Sequence, residues 1–307
     1  MTSRGFGPGS THTREEPNMT DYLSKKALTI TFSVSQWGAT AKDKKVTDKA
    51  LADNHATSDA GKFTKNLLSG DALDPIQKLV GKARAYHREV TLPWKQDGER
   101  LLPATLYADY SQKMRGFEIS FEALVGEFCS NYEQQVDRRR VDLNGMFRDA
   151  DYPSLEDVRS KFAWTIRPTP LADVNDFRVE LADGHAQQIK AQIEAELNAT
   201  ASEALKDPLR RVVAAVSALA TRLTEYKAAD GKKSRFSGSL IENVETIANL
   251  LPAFNLSGDP QVAALADELK VKLCRETADE LKENDHVRKA VAKDAADILA
   301  RVESLLS

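Results

Sequence analysis

Eight apolar residues spaced three and four positions apart constrain the fold of this 307-residue chain more than any other feature. They are Tyr107, Tyr110, Met114, Phe117, Phe121, Leu124, Phe128 and Tyr132. A period near 3.5 places all eight on one face of an α-helix. Residues 105–147 contain no proline, so the pattern predicts a single helix of about 65 Å, at about 1.5 Å per residue. A small compact domain cannot bury such a helix alone, so a second long element is expected beside it.

A second apolar stripe over residues 184–226 is the candidate for that element. Its members are Ile189, Ile193, Leu197, Ala201, Leu205, Leu209, Val212, Val216, Leu219, Leu223 and Tyr226. Pro208 lies in the middle, which predicts a kink or a restart of the helix there. Two stripes of similar length and period favour an antiparallel helical hairpin.

Short β segments flank the first stripe. Residues 27–37 alternate apolar and hydroxyl side chains, which predicts a strand whose hydroxyl face can meet water. Asp97-Gly98 lies between two short apolar runs and predicts a β-hairpin turn. Residues 164–167 and 176–181 are also strand-like. The expected fold class is therefore α+β and predominantly helical, with a small mixed or antiparallel sheet on the helical hairpin and a C-terminal helical bundle.

Capping signals predict further short helices. Three are expected between residues 41 and 90, the second capped by Asp59 and the third opened by Asp74 and Pro75 as Ncap and N1. Ser154 is expected to cap another.

The expected domain organisation has four parts. Residues 1–20 lack periodicity and are expected to be disordered, and residues 21–230 form the α+β head with the hairpin. The polar, Gly- and Ser-containing residues 231–239 are the expected hinge. Residues 240–307 form a C-terminal helical region, with helices expected at 240–251, 260–283 and 285–306.

Composition limits the class of protein. Residues 21–115 carry 16 Lys and Arg against 11 Asp and Glu, whereas residues 116–307 carry 25 against 33. Such asymmetry marks either a partner surface or two differently solvated regions. No apolar run approaches the roughly 20 residues of a membrane span, and the N-terminus lacks a signal-peptide pattern, so a cytoplasmic protein is expected.

No motif for catalysis or cofactor binding was found in the sequence. Neither common glycine-rich nucleotide-binding fingerprint occurs, and the five histidines have no second ligand at metal-binding spacing. Acidic residues cluster around residues 149–157, where the dipole of a helix's first turn already accounts for carboxylates. We therefore expect no cofactor, no metal site and no enzymatic activity.

Basic and aromatic residues are the candidates for contacts with a partner or with nucleic acid. They are Trp37, Lys42, Lys44, Lys45, Lys62, Lys65, Arg84, Arg88, Trp94, Arg138, Arg139 and Arg140. Cations interleaved with aromatic rings suit a phosphate backbone and stacked bases. The alternative is a solvated surface around an aromatic core. Trp37 and Trp94 fit either core packing or the anchors of a protein interface.

Five short strings, taken in order, resemble an uncharacterised family encoded by tailed phages and mobile elements. They are WGATAKDKK at 37–45, AGKFTKNLL at 60–68, TLPW at 91–94, RLLP at 100–103 and DFRVEL at 176–181. The resemblance covers about residues 25–230. Members are often encoded near a MoxR-type AAA+ ATPase and a von Willebrand factor A-type protein. The resemblance therefore implies an accessory protein that works beside such a machine, and it supplies no catalytic residues.

Three functions follow as hypotheses. The first is a non-enzymatic interaction protein, an adaptor or client of an AAA+ ATPase, that binds a protein partner or itself through its helices. The second is a nucleic-acid-binding accessory protein that uses a basic face within residues 42–115. The third is a structural virion protein.

Overall fold

The chain divides into two units. The computed structural model describes residues 23–95, 98–171, 183–226 and 237–306, and of residues 183–187 and 190 it describes the backbone alone. One unit is Thr29–Thr169, and the other combines Met1–Leu28 with Pro170–Ser307. The predominantly helical α+β class is confirmed. The division between the units falls near residue 170, whereas the sequence placed the boundary at 231–239.

The strands form two small sheets. They are β1 (Ala27–Ser35), β2 (Thr40–Lys42), β3 (Thr64–Asn66), β4 (Leu92–Pro93), β5 (Glu99–Pro103) and β6 (Ala163–Pro170). The larger sheet is antiparallel with the order β4-β5-β1-β6, and β2 pairs with β3 antiparallel. The expected small antiparallel sheet is therefore present.

The predicted β-hairpin is confirmed and has a defined register. Leu92 lies opposite Leu101, and Pro93 lies opposite Arg100. Leu92 and Leu101 are fully buried, and because side chains alternate along a strand, Arg100 points to the other face. Gly98 has φ of +84°, in the left-handed region that favours glycine at a turn.

The hydroxyl face of β1 meets water only in part. Thr29 is buried, and its hydroxyl donates a hydrogen bond to the carbonyl of Thr169, 3.1 Å away. Ser33 and Ser35 at the other end of the strand are exposed. The alternation thus predicted the strand correctly but not the burial of its first hydroxyl residues.

The Thr29–Thr169 unit contains the first apolar stripe. Its helices are α1 (Lys44–Asp53), α2 (Asp74–Glu89), α3 (Tyr107–Ser130), α4 (Tyr132–Leu143) and α5 (Leu155–Ser160). The stripe is buried or half-buried except for Tyr107, and α3 packs on α2. The predicted single helix is wrong, because α3 ends at Ser130 and α4 begins at Tyr132. At this junction the Glu127 carbonyl accepts hydrogen bonds from both the side chain and the backbone amide of Asn131.

The second unit contains the second stripe. Its helices are α6 (Asp183–Glu225), α7 (Ser239–Phe254), α8 (Pro260–Leu273), α9 (Ala278–Glu283) and α10 (Asp285–Leu306). α6 packs on α7 and α10, which cover the fully buried Val212, Val216 and Leu219. The two stripes therefore belong to different units, and each is covered by shorter helices of its own unit. The expected C-terminal helices are present, with 260–283 divided into α8 and α9.

Local predictions had mixed outcomes. α6 continues through Pro208, so the helix does not restart there. No helix follows Asp59, since residues 59–63 are irregular and 64–66 form β3. Ser154 is the N-cap of α5, as expected. The N-cap of α2 is Leu73, whereas the sequence predicted Asp74 at that position. The disorder expected at 1–20, the strand expected at 176–181 and most of the expected hinge lie outside the described residues.

Candidate functional site

Both candidate tryptophans belong to the protein core. Trp37 is 8% exposed and Trp94 is 7% exposed. The Trp37 ring lies 5.8 Å from the Tyr132 ring and 6.4 Å from the Phe128 ring, between centroids. Of the two interpretations left open by the sequence, core packing is therefore the one that the structure supports.

Lys65 is not a surface contact residue, contrary to its prediction. Its ammonium group lies 2.5 Å from the carboxylate of Asp151 and 3.5 Å from that of Asp43, and it donates to the Met146 carbonyl at 2.7 Å. The Lys65 and Asp43 side chains are each only 2% exposed. The lysine is buried because it neutralises carboxylates from two distant segments, and such long-range pairing leaves no pattern in the sequence.

Asp43 has a second structural role in the same cluster, as the N-cap of α1. Its carboxylate accepts a hydrogen bond from the Val46 amide and so caps α1. That bond, together with the charges of Arg148 and Lys65, lowers the pKa of Asp43 despite its burial. The cluster therefore joins β2, β3 and the segment after α4, which is a structural role.

Four predicted lysines remain exposed and lie near an exposed aromatic ring. The Asp43 amide donates to the Phe63 carbonyl at 3.0 Å, which brings the start of α1 beside the start of β3. Phe63 is 38% exposed. We call this the lysine patch: Lys42, Lys44, Lys45, Lys62 and Phe63.

The three consecutive arginines do not form one basic surface. Arg139 donates to the carbonyl of Asn66 at 3.0 Å and is largely occupied within the fold. Arg140 pairs with Asp149 at 2.9 Å, and its guanidinium lies 4.4 Å from the Phe147 ring centroid. Arg138 is exposed, and the Arg140 side chain is 50% exposed despite its ion pair, so two of the three arginines reach solvent.

Arg84 and Arg88 line a pocket between α2 and the β4–β5 hairpin, together with two further cations, Lys95 and Arg100. Arg84 and Arg88 lie one helical turn apart, and the pocket has a volume of about 350 Å³. We call it the arginine pocket, lined by Phe32, Arg84, His87, Arg88, Pro93, Lys95, Gly98, Glu99 and Arg100. The sequence indicated Arg84 and Arg88 but missed His87, Lys95 and Arg100. The register of the hairpin places Arg100 there, and the sequence did not define that register.

His87 forms part of the wall of the arginine pocket. The residue is 5% exposed, and its Nδ1 lies 2.9 Å from the Tyr110 hydroxyl. Burial, and then the charges of Arg100 and Arg88, lower the pKa of His87 to about 4. The ring is therefore neutral at pH 7 and can donate or accept one hydrogen bond at each nitrogen, according to its tautomer.

A larger open groove of about 640 Å³ lies along α2 and α3. We call it the α2–α3 groove, lined by Leu79, Lys82, Tyr86, Asp109, Gln112, Lys113, Gly116, Phe117 and Ser120. Leu79, Tyr86 and Phe117 are half-buried and form an apolar floor. The Lys113 ammonium lies 5.7 Å from the Phe117 ring centroid. The groove combines apolar surface with a rim of two cations and one carboxylate.

Comparison with known proteins gives no relative. No family model, no curated protein and no solved structure matches the chain. Across the described residues, no three His, Cys, Asp or Glu side chains are grouped so that they could hold a metal ion. None of the helices in those residues is long and apolar enough to cross a membrane.

Proposed function

We propose that this protein is a non-enzymatic interaction module that binds an amphipathic helix of a partner protein in the α2–α3 groove. The observation that carries this proposal is the apolar floor of Leu79, Tyr86 and Phe117, open to solvent in a groove of about 640 Å³. Helix-in-groove recognition uses such a floor for the apolar face of an incoming helix.

The rim of the groove favours an acidic partner helix. Lys82 and Lys113 are exposed there, against the single carboxylate of Asp109. Complementary charges at a rim mainly accelerate association and select the partner. Gly116 leaves additional room, because a Cβ atom built at this position meets nothing within 4 Å.

The resemblance to the phage and mobile-element family identifies the first partner to test. It is the MoxR-type AAA+ ATPase encoded nearest to this protein's gene. Self-association through the same groove is the second arrangement to test, and light scattering of the purified chain measures it directly.

The experiment measures binding of the purified ATPase by biolayer interferometry, with ATP and with ADP. The double variant Lys82→Glu/Lys113→Glu should weaken binding about tenfold, because it replaces attraction by repulsion at the rim. Phe117→Ala should weaken it by more than about tenfold, because it removes an aromatic anchor. Lys49→Glu is the matched control, since Lys49 is exposed on α1 outside the groove, and it should bind like the wild type.

Two results would refute the proposal. One is the absence of a complex in both nucleotide states together with a monomeric protein in light scattering. The other is a complex whose affinity is the same for the wild type, the rim variant and Phe117→Ala. Circular dichroism of each variant establishes that it remains folded.

The lysine patch favours a second candidate function, binding of nucleic acid. Its four lysines form no ion pair within the described residues, and exposed Phe63 can stack on a base. The Thr29–Thr169 unit is nearly neutral, so any such binding depends on this local patch. A titration with salt should then show log affinity falling with log salt for single-stranded DNA, and Lys44→Gln/Lys45→Gln should reduce the slope. Binding with no salt dependence would exclude this function.

A further inference from the structure

We propose that the arginine pocket binds a small ligand that carries a phosphate monoester. The site lies within the Thr29–Thr169 unit, outside both the α2–α3 groove and the lysine patch. The inference is independent of the proposed protein partner, because none of the residues that line the groove lines this pocket.

Two of the four cations of the pocket, Arg100 and Arg84, form hydrogen bonds within the fold. Arg100 is anchored on its own hairpin, where Nε donates to the Thr91 hydroxyl at 2.6 Å and a terminal nitrogen donates to the Thr91 carbonyl at 3.0 Å. Arg84 and Arg88 project from successive turns of α2, and Arg84 donates weakly to the Val34 carbonyl at 3.4 Å. Fixed guanidinium groups on two elements can bind the oxygens of one phosphate from different sides.

The charge of the pocket suits a dianion. Its lining carries four cations and one carboxylate, Glu99, which lies 3.7 Å from the Lys95 ammonium. Arg84 and Arg88 form no ion pair with any residue in the described ranges. With neutral His87, the lining has three positive charges in excess. A phosphate monoester carries about −1.5 to −2 at pH 7, whereas a carboxylate carries one negative charge.

The other walls can receive the organic part of such a ligand. Phe32 and Pro93 present apolar surface, and His87 adds a polar ring edge. When the Tyr110 hydroxyl donates to His87 Nδ1, the proton of the neutral ring is on Nε2, which can then donate to the ligand. A volume of about 350 Å³ lies near the lower end of the range for small-molecule sites, about 300–1,000 Å³.

The test is isothermal titration calorimetry of the full chain with four probes at constant ionic strength. The probes are inorganic phosphate, adenosine 5′-monophosphate, acetate and a 5′-phosphorylated oligothymidylate. We expect saturable binding of phosphate and of the nucleotide, with acetate at least about tenfold weaker. Arg88→Gln should weaken phosphate binding about tenfold, and Arg84→Gln/Arg88→Gln about a hundredfold, because each loses a charge-assisted contact.

Arg138→Gln is the matched control, because Arg138 is an exposed arginine outside the pocket. Its phosphate affinity should equal that of the wild type. A second measurement at the site is the NMR signal of the His87 ring, which should move on addition of phosphate in the wild type and in Arg138→Gln. Lys95→Gln gives an independent variant on the hairpin side and should also bind phosphate more weakly.

Two outcomes would overturn the proposal. In the first, phosphate and the nucleotide do not bind, and binding of the oligonucleotide in that case would assign the pocket to nucleic acid. In the second, they bind Arg84→Gln/Arg88→Gln as tightly as the wild type. The two proposals can be refuted independently. If no partner binds in the α2–α3 groove, the phosphate affinity expected of the arginine pocket stays the same, because the two sites share no lining residue.

Discussion

The buried ion cluster around Lys65 leads to a sharp prediction about stability. Lys65→Met keeps the length and most of the apolar volume of the side chain but removes the charge that faces Asp43 and Asp151. Removing one partner of a buried pair costs about 3–5 kcal/mol where the other charge is left uncompensated, and here the loss lies at the lower end because Asp43 keeps Arg148 at 3.4 Å. A domain has about 5–15 kcal/mol of stability in total, so we expect a large loss, about 3 kcal/mol with Asp151 partly exposed.

Tryptophan fluorescence is the appropriate assay because all three tryptophans, Trp37, Trp94 and Trp164, lie in the Thr29–Thr169 unit. It reports urea unfolding of that unit alone. With a slope of about 2 kcal/mol per molar urea, the midpoint of Lys65→Met should fall by about 1.5 M. Lys62→Met, the same change at an exposed lysine, should change stability by less than about 0.5 kcal/mol.

The dependence on pH gives a second check of the same cluster. The pKa of Asp43 is lowered in the folded state, first by the Val46 amide and also by Arg148 and Lys65. This contribution to stability is therefore present above the unfolded pKa, about 3.9, and is lost as the pH falls through the folded value. The stability of Lys65→Met should depend less on pH in this acid range than that of the wild type. Equal midpoints for Lys65→Met and Lys62→Met would refute the reasoning about the cluster.

Two further predictions concern other parts of the same unit. Gly126 lies inside α3, and a Cβ atom at this position has no neighbouring atom within 4 Å. Gly126→Ala should therefore raise the free energy of unfolding in urea by about 0.5–1 kcal/mol. A decrease would mean that the added methyl group clashes with its surroundings. The pKa of His87 is lowered to about 4 in the folded state, against about 6.5 when unfolded, so its contribution to stability should be lost as the pH falls from 6.5 to 4. The difference in slope between the wild type and His87→Gln over this range measures that contribution.

The elements that could be predicted are those set by local patterns. The stripe from Tyr107 to Tyr132, the β4–β5 hairpin and the Ser154 cap each depend on residues a few positions apart. The pairing of long helices is different, because an apolar stripe shows that a face is buried but not which element covers it. Shorter helices cover both stripes within separate units, and the helix that carries the first stripe ends at Ser130.

The residues of the candidate sites show the same difference between local patterns and tertiary contacts. Arg84 and Arg88 share a helix face by spacing alone, and the sequence indicated both as contact residues. Lys65 has the same charge and was indicated with them, yet its ion pair with Asp151 spans 86 positions and removes it from the surface. Arg100 joins the pocket only through the register of the hairpin. Charge type is visible in the sequence, whereas burial and convergence of charges depend on tertiary contacts.

Tyr110 provides a prediction that connects stability with the chemistry of the arginine pocket. Its hydroxyl is the partner of the buried His87 Nδ1, at 2.9 Å, and the residue is 1% exposed. Tyr110→Phe removes that hydroxyl without opening a large cavity and leaves a buried nitrogen without its partner, which costs about 1–3 kcal/mol. Tyr86→Phe is the control, because Tyr86 stacks on Tyr110 but is only half-buried, and it should cost less than about 0.5 kcal/mol.

The same pair of variants tests the tautomer of His87. In Tyr110→Phe, no hydroxyl donates to His87 Nδ1, so the ring proton is no longer held on Nε2. Because Nε2–H is the proposed donor to the ligand, Tyr110→Phe should bind phosphate several-fold more weakly than Tyr86→Phe. Urea unfolding followed by tryptophan fluorescence gives the stability difference, and calorimetry gives the affinities. If Tyr110→Phe is destabilised but binds phosphate normally, the hydrogen bond exists and His87 is not a donor to the ligand. If both variants unfold at the same urea concentration, the Tyr110–His87 hydrogen bond does not contribute to the fold.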